Sequence, residues 1–181
     1  MANYCDFVNN LKEGEHPYHK AYHDHHYGFM IDNDDELFGR LILEINQAGL
    51  SWTTILKKEA GFRNAYDEFS IAKIACYGEG DIDRLMKDAG IIRNKMKILA
   101  AIHNAKVVST LQDEFGSFQG WLRQNHPMSK QQWVRLFKKT FKFTGEEIVN
   151  EFLMSIGFLP GAHVDYCHIF KQLAKEDNKF V

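Results

Sequence analysis

Asn33-Asp34-Asp35-Glu36-Leu37-Phe38-Gly39-Arg40-Leu41-Ile42-Leu43-Glu44-Ile45-Asn46-Gln47-Ala48-Gly49 is the stretch from which the fold class is read. Leu37, Phe38, Leu41, Ile42, Ile45 and Ala48 recur at the three- and four-residue intervals of a helix, not the alternation of a strand. Asn33 or Asp34 offers a side-chain oxygen to the open amides of a first turn, and Gly49 is a stop signal. Leu37, Leu41, Glu44 and Ala48 fall on one stripe, which sets a carboxylate among apolar neighbours. Burying an ionised carboxylate is costly without donors or a role. A boundary position from which Glu44 reaches solvent satisfies the periodicity equally well.

Working outward, the same signals recur. Ser51 caps a short helix over 52–58, a further helix covers 62–69, and Ser70 starts a short turn. Asp81 caps a helix over 81–88 that Gly90 ends. A long helix follows over about 94–111, with Ile98, Leu99, Ile102 and Ala105 inward. Helices over 118–123 and 129–139 come next. Thr144 and Glu147 have capping-box spacing before Ile148, Val149, Phe152, Leu153 and Ile156, and a last helix covers 163–175. Alternation of period two is nowhere sustained, so the class is all-α.

The 181 residues, 45% hydrophobic and 25% charged, suit a single globular domain over 1–181, with no repeat and no linker-like tract. The longest apolar runs, such as Leu41-Ile42-Leu43, are too short to span a bilayer, and the first ten residues do not resemble a secretory signal. A cytoplasmic monomer without membrane contact is expected. Three cysteines, Cys5, Cys76 and Cys167, make no disulfide framework. Of nine histidines, five crowd into His16, His19, His23, His25 and His26, and most of these read as a solvated polar loop. The net charge of −2 speaks against a nucleic-acid binder, yet the charge is uneven. Residues 1–36 hold eight acids and two lysines, whereas residues 93–142 hold ten bases and two acids. Such asymmetry can present a basic face to phosphates.

Three local patterns carry chemistry. Gln47, Gly49 and Trp52 follow Glu44 closely, gathering a carboxylate, an amide, a tight turn and a flat ring at a helix–turn–helix corner suited to a planar polar ligand. Trp52 taken alone reads as core packing. The run Leu85-Met86-Lys87-Asp88-Ala89-Gly90-Ile91-Ile92-Arg93-Asn94-Lys95-Met96-Lys97 reads as two helices joined at Gly90. The open amides of the second helix, with Lys95 and Lys97, suit a phosphate, although an ordinary hairpin with solvated lysines has the same pattern. His163-Val164-Asp165-Tyr166-Cys167 has H-x₃-C spacing, which on a helix puts an imidazole and a thiolate on one face, as zinc requires. Cys5 and His23 are the best available further ligands, but spacing alone favours a plain buried thiol at Cys167 and a surface His163.

Taken together the segments resemble the 3-methyladenine DNA glycosylase I family. The resemblance rests on Tyr22-His23-Asp24 with Tyr27-Gly28, and on Glu44-Ile45-Asn46-Gln47-Ala48-Gly49-Leu50-Ser51-Trp52 with Ile55-Leu56-Lys57-Lys58. It extends through Asp88-Ala89-Gly90-Ile91-Ile92-Arg93 with Lys97, then Phe141-Lys142-Phe143 and His163-x₃-Cys167, in order along nearly the whole chain.

The resemblance implies a helix-hairpin-helix DNA glycosylase fold, the hairpin spanning about 81–111, with a structural Zn²⁺ on Cys5, His23, His163 and Cys167 that joins the N- and C-terminal segments. It implies that Glu44 reads a flipped base, that Trp52, Tyr22 and Tyr27 line the pocket, and that Tyr18 replaces a family tyrosine where this chain has His19. Gly90, Ile91, Arg93, Lys95 and Lys97 become the phosphate contacts. The implied reaction is release of 3-methyladenine, with 3-methylguanine as a second lesion, from double-stranded alkylated DNA by base flipping. The chain departs from the family pattern at Tyr27, Asn46, Thr140, Glu146-Glu147 and Asn150-Glu151, and between His126 and Lys138. Two other classes share these residues: a catalytically weak damage-binding module of the same fold, and a zinc-stabilised helical interaction domain.

Overall fold

The computed structural model describes residues 3–175, and among them there are eleven α-helices, one 3₁₀ turn and no strand. The helices are α1 (Tyr4–Asn9), α2 (Pro17–His25), α3 (Asp34–Gln47), α4 (Trp52–Ala65), α5 (Ile71–Ala75), α6 (Glu79–Lys87), α7 (Lys95–Phe115), α8 (Phe118–Asn125), α9 (Lys130–Thr140), α10 (Glu146–Ser155) and α11 (His168–Lys175). No helix among the described residues is long and apolar enough to cross a membrane. The chain divides into two compact units, Ile31–Val149 and the two flanking segments, and the division falls inside α10.

In the 31–149 unit, α3 is the central element. Asn33 caps it by accepting from the Glu36 amide, and every residue from Leu37 to Asn46 is buried. So complete a burial shows that α3 is surrounded, not one-sided. Its apolar side chains join Ile55, Leu56 and Phe62 of α4 and Ile98, Ile102, Ala105 and Val108 of α7 in the core. Trp121 of α8, Trp133 and Phe137 of α9, and Phe141 add an aromatic cluster with ring centroids 5.3–6.5 Å apart. Asp34, the first residue of α3, accepts from the Phe118 and Gln119 amides at 2.8 and 3.2 Å, so it also serves the open N-terminus of α8.

The expected break between 58 and 62 is absent, and α4 runs through Gly61. Gly61 reads as a breaker, but its role is close approach: a β-carbon there would overlap the Gly90 carbonyl oxygen. After α4, Asp67, Glu68 and Phe69 take left-handed conformations, with φ of 50, 57 and 58°. This unusual turn swings the buried Phe69 ring onto Gly39. The Arg63 guanidinium lies 5.0 Å above that ring while it holds both Glu36 oxygens at 2.6 and 2.7 Å. The long helix is extended to Phe115 and closed by a left-handed Gly116. Leu99 is not inward but 40% exposed.

The flanking unit holds α1, α2 and α11. Its small core is Cys5, Cys167, Ile169 and Leu173, with Phe29, Val164 and Phe170 packed against it. Here the sequence reading is corrected twice. The histidine-rich stretch is largely helix α2, with His19 and His23 buried. The last helix begins at His168, so His163 and Cys167 lie in a turn before it, where the Cys167 amide donates to the Val164 carbonyl at 2.9 Å. In the α9–α10 connection, Thr144 turns its hydroxyl toward the carbonyls of Phe137 and Phe141.

Glycine in a helix interior is usually worse than alanine by about 0.5–1 kcal/mol. Gly61→Ala should reverse that sign and lower stability, because the added carbon displaces the backbone at Gly90. Urea unfolding that shows an unchanged or raised midpoint would remove the Gly61–Gly90 contact as a constraint.

Candidate functional site

The corner after α3 is the first candidate. Glu44 is 4% exposed, so of the two positions open to it the buried one is realised. It lies one turn after Arg40, itself buried, and one turn before Ala48. The chain then passes Gly49 at φ 85° and re-enters helix at Trp52, where Ser51 caps by accepting from the Thr54 amide. Trp52 is half-buried and Leu50 is 39% exposed. Gln47 donates to the Leu50 carbonyl at 3.3 Å, spanning the turn.

What holds this corner was read differently from sequence. Lys97, assigned to phosphate contact, is 5% exposed, and its ammonium donates to the carbonyls of Asn46 and Ala48 at 3.0 and 2.8 Å. These are terminal carbonyls of α3, which has no basic residue in its own last turn. The reversal has a physical reason, since a helix C-terminus presents unpaired oxygens and partial negative charge. Burial pulls Lys97 below the ordinary lysine value.

The hairpin is the second candidate. Helices α6 and α7 flank a turn of seven residues from Asp88 to Asn94. The start of α6 is corrected by two residues: Gly78 is the cap, and Asp81 accepts from its amide. Asn94 caps α7 by accepting from the Lys97 amide. Within the turn the Gly90 amide donates to the Asp88 carboxylate at 2.6 Å and the Asn94 amide to the Ile92 carbonyl at 2.9 Å, so both are engaged internally. Ile91 is buried, while Arg93 and Lys95 are exposed. Lys58, which the sequence reading gave no role, donates to the Ala89 carbonyl at 2.6 Å.

The third candidate lies in the flanking unit. Cys5, His23, His163 and Cys167 are all buried, and their ligand atoms lie within 4.8 Å of one another. Cys5 Sγ is 3.5 Å from His163 Nδ1, and Cys167 Sγ is 3.7 Å from His23 Nε2 and 3.8 Å from His163 Nδ1. A tetrahedral zinc with Zn–S of about 2.3 Å and Zn–N of about 2.0 Å has N···S edges of roughly 3.5 Å. The outward-facing nitrogens are also placed. His23 Nδ1 is 2.7 Å from an Asp24 carboxylate oxygen, and His163 Nε2 is 2.7 Å from the Tyr27 carbonyl. Each such contact fixes the tautomer that leaves the inner nitrogen free to ligate. Burial raises the Cys5 thiol to about 11 and lowers His163. This donor set fits a structural metal, and the sequence offered Asp24 only as the neighbour of His23.

The tyrosines are distributed within the same unit. Tyr22 and Tyr27 are buried, 5.5 Å apart by ring centroid and both close to Tyr4. Tyr27 lies against the Cys/His group, its ring 5.6 Å from His163 and its hydroxyl donating to Glu151 at 3.3 Å. Tyr18 is 50% exposed on α2.

Comparison with known proteins gives the family of the chain. A methyladenine glycosylase family model matches residues 12–134. DNA-3-methyladenine glycosylase 1 of Escherichia coli (strain K12) is 34% identical over 170 residues, which are 83% of this chain and 90% of that one. Among solved structures, 3-methyladenine DNA glycosylase I of Staphylococcus aureus, studied for its recognition of 3-methyladenine, superposes with a TM-score of 0.76 at 30% identity, covering 84% of this chain and 91% of the other. A tyrosine-to-phenylalanine variant of 3-methyladenine DNA glycosylase I in complex with 3-methyladenine superposes with a TM-score of 0.79 at 29% identity, over 93% of this chain and 97% of the other. With a family model across two thirds of its residues and a relative matched almost end to end, the chain belongs to the methyladenine glycosylase family.

Proposed function

We propose that the chain is a DNA repair glycosylase that hydrolyses the N-glycosidic bond of 3-methyladenine in alkylated DNA and releases the free base. The observation that carries this reading is Glu44, a carboxylate buried at the end of α3 in a chain of this family.

Alkylation at N3 gives adenine a positive charge. When the bond from the sugar carbon to N9 breaks, its electron pair neutralises the ring, so the leaving group departs without a strong acid. The sugar becomes oxocarbenium-like, and water adds to it with loss of a proton. The protein has to extrude the nucleotide and favour the cationic base. Glu44 does the second by accepting from the exocyclic amine and opposing the charge, and Trp52 offers an indole face to it. No residue is assigned as nucleophile.

Glu44→Gln keeps the shape and removes the charge. A hydrogen bond to a charged group contributes about 1.5–3 kcal/mol, so base release should fall about ten- to hundredfold while the melting temperature holds or rises. Single-turnover release from methylated DNA at matched folded concentration measures this. Wild-type release by the variant would take Glu44 out of base reading. Absence of release by the wild type would favour a damage-binding module.

The DNA backbone is assigned to the hairpin turn from Ile91 to Lys95. Lys95→Ala should flatten the salt dependence of duplex affinity by about one phosphate's worth. Lys97→Met should leave that slope alone and lower stability by about 1–3 kcal/mol, because it strands two helix carbonyls. A slope changed by Lys97→Met and not by Lys95→Ala would reverse the two roles.

For the Cys/His group we assign a structural zinc, supported by the donor spacing and by the partners of the two outer histidine nitrogens. The ion supplies cross-linking within its unit and no step of the reaction. Purified protein should carry about one zinc per chain, and Cys167→Ser should lose it and melt at lower temperature. Folded wild-type protein free of metal would overturn the assignment.

A further inference from the structure

The loop between α9 and α10 has features that base reading and the hairpin do not use. Phe143 is 42% exposed, although phenylalanine ordinarily goes inside. Its backbone is left-handed, with φ 62°, a conformation that costs a non-glycine residue of order 1 kcal/mol or more and tends to be retained at functional sites. The strain is held by specific contacts. Asn104, fully buried on α7, grips the Lys142 peptide from both sides, its amide donating to the Lys142 carbonyl at 3.0 Å and its oxygen accepting from the Lys142 amide at 2.8 Å. Thr144 ties the other side to the Phe137 carbonyl at 3.1 Å. A structure that fixes an exposed aromatic ring in a strained conformation with a buried polar clamp is holding the ring for a partner.

The surroundings identify the partner's chemistry. The loop borders an open groove of about 450 Å³ lined by Lys138, Phe141, Lys142, Phe143, Thr144, Gly145 and Ile148, with no acid among them. The next acid, Glu146, is drawn to Lys130 at 3.3 Å. The Phe143 ring at the edge of the groove lies 5.9 Å from the Lys97 ammonium, which brings the loop close to the start of α7. An aromatic face between exposed lysines, beside a surface assigned to phosphates, matches the repeating sugar and phosphate of a DNA strand.

We propose that this loop is a second DNA-backbone contact, with Phe143 packed on a deoxyribose and Lys138 and Lys142 paired with the flanking phosphates. It rests on the glycosylase reading and adds a surface to it.

Two variants of the full chain test the contact against a short duplex oligonucleotide. Phe143→Gly accepts φ 62° without strain, which offsets the lost contact with Lys97 and the added entropy of the unfolded chain, so its melting temperature should change little while duplex affinity falls about five- to tenfold with an unchanged salt slope. Lys138→Ala with Lys142→Ala should lower affinity and flatten the slope by up to about two phosphates' worth. Free 3-methyladenine has no backbone and should bind both variants as it binds the wild type. Wild-type duplex affinity in both variants, with base release intact, overturns the contact and leaves the glycosylase reading standing. A loss confined to one variant overturns the joint assignment. A wild type that neither binds duplex nor releases base overturns the glycosylase reading and this contact with it.

Discussion

The 31–149 unit turns on one buried ammonium. Lys97 closes the C-terminal end of α3, where Asn46 and Ala48 present carbonyls that the helix itself cannot pair. Lys97 also belongs to the first turn of α7, so the hydrogen bonds fasten the hairpin helix to the corner that follows Glu44. The Phe143 ring beside the ammonium brings the α9–α10 loop to the same point. One charge thereby sets the mutual position of the corner after Glu44, the hairpin turn and an aromatic loop. A neutral side chain of similar length would fill the space but leave two carbonyls without donors.

The hairpin turn shows the same economy of backbone. Helix α4 can approach it only because Gly61 lacks a side chain, since a β-carbon there would overlap the Gly90 carbonyl oxygen. The Gly90 amide is then held by Asp88, and the Ala89 carbonyl by Lys58. Phosphate recognition by backbone amides depends on those amides being fixed before the ligand arrives, since every dihedral frozen on binding subtracts from affinity. The turn's own polar groups at Ala89 and Gly90 are consumed in fixing it, which leaves the exposed Arg93 and Lys95 as its free charges.

Much of this was legible in the sequence, and the limits follow from range. Helix α3, its Asn33 cap, and the hairpin follow from contacts three or four residues apart, which periodicity records. The burial of Glu44 does not, because it depends on what covers the stripe. Lys97 read as a surface charge because its partners lie 51 and 49 residues earlier in the chain. Helix α2 was hidden because its histidines look like solvated polar residues until the cysteines and histidine that surround His23 are brought in from residues 5, 163 and 167. The H-x₃-C spacing pointed to two residues that the fold does bring together, but through the wrong local structure, since a tight turn brings positions four apart together as well as a helix does.

The Cys/His group and the Glu44 corner pose the same electrostatic problem and resolve it in different ways. In the group, two thiols and two imidazoles are buried, and their outer nitrogens are already committed to Asp24 and the Tyr27 carbonyl. The inner sulfur and nitrogen atoms lie within 4.8 Å of one another, an arrangement that fits a single cation. Glu44 is likewise buried, but it is a single carboxylate on one helix. Burial of an ionised carboxylate favours surroundings that bring hydrogen-bond donors or positive charge. With Glu44 in the proposed role of base reader, N3-alkylated adenine, which has both, is favoured over unmodified adenine, which lacks the charge, by the sign of the buried group as much as by the shape around it.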